Sequence, residues 1–187
     1  MSPVERPADP VISLDRAADL SAPELAELTA LRHAVYPPAD EADWAGADLE
    51  WAGAHWRVRV RAPDGSLVCN VSLLVRTGAE AGREVTIAGV GGVQTHPGYR
   101  RRGYAHAALR ASEAHFRSRG DVDFGLLVCD PPLLRYYAEL GWREFTGTLL
   151  VTRFGEPTEF VLSPVMTLPV GGAAPVDGVI DLGGPPW

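Results

Sequence analysis

The run from Glu84 to Arg119 constrains the fold more than any other part of the chain. Residues Glu84 to Thr95 are rich in Val and Gly and read as a strand. A loop, His96 to Arg102, follows and carries Pro97, Gly98 and three consecutive arginines. From Gly103 to about Arg119, the spacing of Ala105, Ala108, Leu109, Ser112 and Phe116 predicts a helix with one apolar face. A Gly- and Arg-rich turn between strand and helix aims several backbone N–H groups at one spot, where the helix dipole adds positive potential. That arrangement suits a pyrophosphate. Gly103 lets the backbone come close, small Ala105 leaves the approach open, and Arg100, Arg101 and Arg102 add charge to an otherwise acidic chain.

The remaining pattern is that of a mixed α/β domain. Val11 to Leu14 reads as a first short strand. Ser21 and Glu24 have capping-box spacing, and Pro23 fits a first helical turn. Leu25, Leu28, Leu31 and Val35 continue that helix until Pro37-Pro38 stops it. Asp40 to Trp51 mixes acids with tryptophans and reads as a short helix or a loop. Trp56, Val58 and Val60 alternate with Arg57, Arg59 and Arg61, and a turn at Pro63-Asp64-Gly65 makes a hairpin with Leu67 to Val75. Gly78 to Arg83 reads as a loop, Phe124 to Cys129 as a buried strand, and Pro132 to Leu140 as a short helix ended by Gly141. Later strands are expected over Trp142 to Val151 and Thr158 to Leu162, whereas the Gly- and Pro-rich tail, about 163–187, resists assignment. No internal repeat divides the chain, so residues 1–187 form a single domain long enough to bury its own core.

Composition narrows the function classes. With 46% hydrophobic and 22% charged residues the chain is an ordinary globular protein. No stretch reaches the roughly 18–20 apolar residues of a membrane span. The N-terminal MSPVERPADP lacks the basic start and apolar core of a signal peptide. Cys69 and Cys129 lie in apolar runs and read as core thiols rather than a disulfide framework, so a cytoplasmic address is expected. The net charge of −7 disfavours nucleic acid as a partner and suits small cationic molecules. His33, His55, His96, His106 and His115 share no metal-ligand spacing, and no metal is expected.

The stretch Arg100-Arg101-Arg102-Gly103-Tyr104-Ala105 closely resembles the coenzyme A-binding motif of the GNAT acetyltransferase superfamily, Q/R-x-x-G-x-G/A. Tyr137-Ala138-Glu139-Leu140-Gly141-Trp142 resembles the same family's Tyr-x-x-Leu-Gly-Phe signature. The resemblance covers roughly residues 84–142, which would be the acetyl-CoA-binding core. It implies the GNAT fold, a mixed, mostly antiparallel central sheet flanked by helices and splayed at the cofactor site. Acetyl-CoA would be held by Val93, Gln94, Thr95, Arg100, Arg101, Arg102, Gly103, Tyr104 and Ala105. A neutral amine attacks the thioester directly in such enzymes. The Val93 N–H would polarise the thioester carbonyl, and Tyr137 would be the general acid that protonates the leaving thiolate. Tyr136 is out of register and is expected in the core. Many members carry an asparagine where this chain has Asp130, so that cofactor contact is not carried over.

Outside the core the chain is most similar to the bacterial aminoglycoside 2′-N-acetyltransferases, including the kasugamycin type. Asp43-Trp44, the strand Glu159-Phe160-Val161-Leu162, and a tail from Asp181 to Trp187 carry that likeness. It implies that Asp43, Trp44, Asp181 and Trp187 line the acceptor site, where acidic groups would meet a cationic drug. One departure is plain: Gly91 stands where that family has a glutamate, proposed as the base, two residues before the valine matching Val93. A GNAT enzyme for another small amine or a polyamine, and a coenzyme A-binding module without catalysis, remain alternatives. Family members are often dimers, which allows a homodimer here.

Overall fold

The alternation of Trp56–Arg61 splits this strand, β2, between two environments. Val58 and Val60 are buried in the larger apolar cluster, while Arg57, Arg59 and Arg61 point to the opposite face of the sheet. The computed structural model describes residues 9–38 and 46–187. β1 (Val11–Arg16) lies antiparallel along β2, which lies antiparallel along β3 (Leu67–Glu80). β3 and β4 (Arg83–Thr95) run past the expected loop and reverse at Ala81-Gly82 alone. Both turn residues have positive φ, 49° and 78°, the left-handed geometry of a two-residue hairpin.

β5 (Phe124–Val128), β6 (Arg143–Phe145), β7 (Thr148–Arg153), β8 (Glu156–Glu159), β9 (Val165–Pro169) and β10 (Val179–Asp181) complete a ten-stranded sheet among the described residues. Its order is β6-β9-β5-β4-β3-β10-β7-β8, with β2 on the first half of β3 and β1 outermost. Only β4–β5 and β10–β7 are parallel, so the sheet is mixed and mostly antiparallel. The expected strand over Trp142 to Val151 breaks at Thr146-Gly147. A Cβ on Gly147 would sit 2.6 Å from the Gly178 nitrogen, a close approach that turns β6 toward β9 and β7 toward β10. The strand expected from Thr158 to Leu162 instead ends at Glu159, with Phe160 buried and Val161 and Leu162 exposed.

Three α-helices frame this sheet among the described residues: α1 (Ala22–Val35), α2 (Tyr104–Arg119) and α3 (Leu134–Glu139). The Ser21 N–H and hydroxyl both donate to the Glu24 carboxylate at the start of α1, at 2.9 and 2.7 Å. Leu28 and Leu31 are buried, but Leu25 stays exposed because Glu24 and Glu27 pair with the β2 arginines. α1 therefore lies on the arginine face. α2 covers the other face, burying Ala108, Leu109, Ser112 and Phe116 as its spacing predicts. Cys69 and Cys129 are buried free thiols.

The tail is structured. Beyond β10 it crosses toward the middle of β4, and its residues join a second core cluster with Ile87, Phe124, Leu126 and Leu149. Trp187 is 7% exposed, with its indole N–H donating to the Leu126 carbonyl at 3.1 Å.

Candidate active site

β4 and β5 pair only from Ile87–Phe124 to Gly89–Leu126 and then part. Which backbone groups line the gap follows from strand parity. Thr86 accepts from the Asp123 N–H at 2.9 Å, so even-numbered residues of β4 face β5 at the start of the strand. The β3–β4 ladder then shifts register between Asn70 and Ser72, which leaves Gly92 and Val93 opposite Val71. Past this bulge the His96 N–H donates to the Val68 carbonyl at 2.9 Å, so even-numbered residues now face β3. Val93 and Thr95 are thereby turned toward the gap. Gln94 is not: its backbone belongs to the β3 ladder, which leaves only its side chain for a ligand. Asn70 braces the bulge, donating to the Gly92 carbonyl at 3.2 Å.

On β5, Cys129 donates to Pro164 of the β9 side, so the even-numbered residues Leu126 and Val128 face the gap. The Leu126 carbonyl, at the last paired position, accepts from the Trp187 indole N–H at 3.1 Å. The same ring lies against Gly89, where a Cβ would come within 2.6 Å of its Cδ2 and Nε1. A Cβ on Gly91 would sit 2.9 Å from the Trp187 carbonyl carbon. Ala52 donates to the Pro186 carbonyl at 2.7 Å, and Arg76 to that of Pro185 at 2.8 Å, so the tail is pinned from both sides.

The turn before α2 leads into a helix N-terminus, which suits an anion. Arg101 has φ +61° and Gly103 +83°, left-handed angles that turn the chain sharply ahead of the helix. A Cβ on Gly103 would meet nothing within 4 Å, so glycine is required there by its backbone angle, and the space above it is open. Arg100, Arg101 and Arg102 are exposed beside the first turn of α2, whose N–H groups have no intrahelical partner. The turn is braced from outside it. His96 Nδ1 accepts from Gly98, the Tyr99 hydroxyl donates to Asp64 at 3.0 Å, and the Arg102 guanidinium lies 5.1 Å from the Tyr99 ring centre. Tyr104 and Ala105 are half-buried against the larger core.

Tyr137 is 4% exposed and packs edge-on against Tyr136 and Trp142. Its hydroxyl has no hydrogen-bond partner among the described residues. Burial raises its pKa, with Cys129, Tyr136, Tyr36 and Asp130 adding to the shift. The phenol therefore stays protonated well past neutrality and keeps a donor for a group that gains negative charge beside it. Tyr136, half-buried in the same core, has its hydroxyl buried without a partner.

The other expected acceptor residues separate. Asp43 and Trp44 lie outside the described residues. Asp181 pairs with Ala79, itself opposite Glu84, five residues down β4 from Gly89 and so roughly 16 Å from where the strands part. Its carboxylate is occupied locally, accepting from the Gly183 N–H at 2.8 Å. Of the described members of that set, Trp187 stands beside the gap and Asp181 does not. Three side chains with no motif to announce them, Arg57, Ser72 and Arg76, share the face of β2 and β3 that adjoins Gly91 and the tail. Among the described residues no group of three His, Cys, Asp or Glu side chains could hold a metal ion, and no helix is long and apolar enough to cross a membrane.

The fold and this site together define an acetyl-transferring enzyme. Residues 18–145 match the sequence profile of the family described as an acetyltransferase (GNAT) domain. The chain belongs to the GNAT acetyltransferase family and has its α/β fold, a curled mixed sheet flanked by helices. It is similar in structure to an acyl-CoA N-acyltransferase from Pseudomonas aeruginosa, at 21% identity and a TM-score of 0.59, covering 86% of this chain and 99% of that one. It is also similar to the Escherichia coli GNAT N-acetyltransferase YhbS in complex with CoA, at 15% identity and a TM-score of 0.61, over 92% and 89% of the two chains. A GNAT acetyltransferase from Brucella melitensis in complex with acetyl-CoA aligns at 16% identity and 0.56, over 91% and 94%. No curated protein matches the chain.

Proposed function

We propose that the protein transfers the acetyl group of acetyl-CoA directly to the amine of a small molecule. The observation that carries this reading is the bulge at Gly92–Val93, which turns a strand N–H into the gap between β4 and β5. The N–H groups of Val93 and Thr95 would bind the extended pantetheine arm, with the Val93 N–H polarising the thioester carbonyl. The Arg101–Gly103 turn and the first turn of α2 would take the pyrophosphate, assisted by Arg100, Arg101 and Arg102. Tyr137 would protonate the departing sulfur. The CoA and acetyl-CoA complexes of two proteins of similar fold support the same assignment.

An aminoglycoside acceptor draws support from the net charge of −7 and from Trp187 standing beside the gap. A small amine of another kind is favoured by the arginines on that face, argued below. The test is thiol release from acetyl-CoA with aminoglycosides, kasugamycin, polyamines, amino acids and a lysine peptide, run beside Tyr137→Phe. Turnover of one class, weakened in the variant, is the expected result. Binding of acetyl-CoA without turnover of any amine refutes the proposal.

A further inference from the structure

β2 carries three arginines on one face of the sheet, and two of them have carboxylate partners. Arg59 is 6% exposed and donates from Nε to Asp15 at 2.9 Å and from Nη2 to Glu24 at 2.7 Å. Burial alone would lower its pKa, and the two carboxylates more than reverse that. Arg61 makes a two-pronged pair with Glu27. The chain thus places three carboxylates against two guanidinium groups.

Arg57, next along the same face, has no carboxylate partner among the described residues. Among the described residues it donates one hydrogen bond, from Nη1 to the Ser72 hydroxyl at 3.0 Å, and its Nε is buried without an acceptor. Burial pushes its pKa down with nothing opposing it. A half-buried guanidinium in that state is costly, because it has lost water without gaining a counter-charge. Arg76, on the same face of β3, also has no carboxylate partner among the described residues. It donates to the Pro185 carbonyl and stacks 5.4 Å from the centre of the Trp187 ring.

The position of Arg57 gives the uncompensated charge a purpose. Its partner Ser72 is opposite Gly91 on β4, and a Cβ on Gly92 would come within 2.9 Å of the Ser72 hydroxyl. The guanidinium therefore sits beside the bulge that turns Val93 into the gap, on the face away from α2 and near the tail. A second ammonium group on an acceptor would face like charge here. A carboxylate would fit, because a guanidinium with open donors takes one in a planar, two-bond fork.

We propose that the acceptor is an amine bearing a carboxylate, an amino-acid-like molecule, and that Arg57 is the residue that holds the carboxylate. This rests on the acetyl-transfer reading above and names its substrate class. The carboxylate is bound and not altered. The amine nitrogen forms the new bond to the acetyl carbon, the carbon–sulfur bond breaks, and one proton passes from the nitrogen as the thiolate takes up another.

The test measures thiol release from acetyl-CoA with each of the proteinogenic amino acids beside its α-carboxamide, together with phosphoethanolamine, spermidine and kanamycin. For any side chain accepted, the acid is expected to exceed its amide at least tenfold in kcat/KM. Arg57→Gln should collapse that ratio to within twofold of unity, through the KM of the acid, and Arg57→Lys should restore part of it. Acetyl-CoA affinity, followed by calorimetry, reports whether each variant is folded. An acid-to-amide ratio near one in the unaltered protein, or faster turnover of spermidine, kanamycin or phosphoethanolamine, overturns the inference and leaves acetyl transfer standing. Equal losses for acid and amide in Arg57→Gln, with the ratio kept, overturn the assignment to Arg57. Silence with every amine overturns the acetyl-transfer reading and this inference with it.

Discussion

Replacing Gly89 with Ala tests whether the tail packs where it is described. A Cβ there would sit 2.6 Å from Cδ2 and Nε1 of Trp187, whereas carbon atoms rest about 3.5–4.0 Å apart. The ring must retreat by about 1 Å, which stretches the 3.1 Å bond from its N–H to the Leu126 carbonyl beyond useful length. Overpacking costs about 1–3 kcal/mol. Loss of the hydrogen bond adds about 1 kcal/mol, so Gly89→Ala should destabilise by roughly 2–4 kcal/mol. Trp187→Ala alone removes a buried indole, at about 3–5 kcal/mol. With the ring gone the new methyl has room, and Ala recovers the roughly 0.5–1 kcal/mol that Gly costs in a strand. The double variant should therefore be no less stable than Trp187→Ala. Urea unfolding followed by far-UV circular dichroism reads all four proteins. Additivity of the two changes within about 0.5 kcal/mol would refute the packing and the tail's place beside the gap.

Tyr137→Phe removes a hydroxyl with no partner among the described residues, so stability should change by less than about 1 kcal/mol while kcat falls about 10²–10⁴-fold; a variant keeping most of its kcat removes Tyr137 from the chemistry. Gly103→Val forces a branched residue toward φ +83°, a strain of about 1–3 kcal/mol, and is expected to weaken acetyl-CoA binding at least tenfold by calorimetry. The Glu24 carboxyl is pulled from 4.5 down to about 2, first by the Ser21 hydroxyl, then by the Ser21 N–H and by Arg59. Its contribution is therefore present above pH 4.5 and lost as pH falls toward 2, and Glu24→Gln should flatten the stability profile in that window. Coincident urea midpoints for the two proteins across it would show the carboxylate untied in solution. Because Gly91 offers no base, the acid limb of kcat/KM should follow the acceptor amine's own pKa. Two acceptors of different amine pKa should give limbs displaced by that difference, and a shared limb would assign the group to the enzyme.

Much of the core was legible because local pattern and tertiary role agree there. The apolar face of α2 and the strand Phe124–Val128 each follow from a short stretch of sequence. β9 and β10 did not show, since each is short and its partners lie far away in sequence: Val165–Pro169 against Phe124–Val128, and Val179–Asp181 between β3 and β7. The place of Asp181 in the sheet was hidden for the same reason, because ladder register, not composition, sets its distance from the gap. Arg57 was the hardest to see. In the sequence it is one of three equivalent arginines on an alternating strand, and only the positions of Asp15, Glu24 and Glu27 reveal that, among the described residues, two are paired with carboxylates and one is not.

The glycines of β4 tie the missing base to the acceptor class. Ala88 and Val90 pack into the larger core on one face, while on the other Gly89 and Gly91 leave the room in which the tail lies. A side chain on Gly91 would meet the Trp187 carbonyl carbon, so a strand-borne carboxylate and the tail in this position exclude each other. The chain has the tail, and the amine must lose its proton without help from that position. The penalty depends on the amine. At pH 7.4 a lysine-type amine, titrating near 10.4, is only about 0.1% neutral, whereas an amine one unit less basic is about 1% neutral. That roughly tenfold difference in reactive fraction disfavours lysine acceptors at this site. The less basic the acceptor amine, the less the missing base costs, a preference that acts beside the carboxylate contact assigned to Arg57.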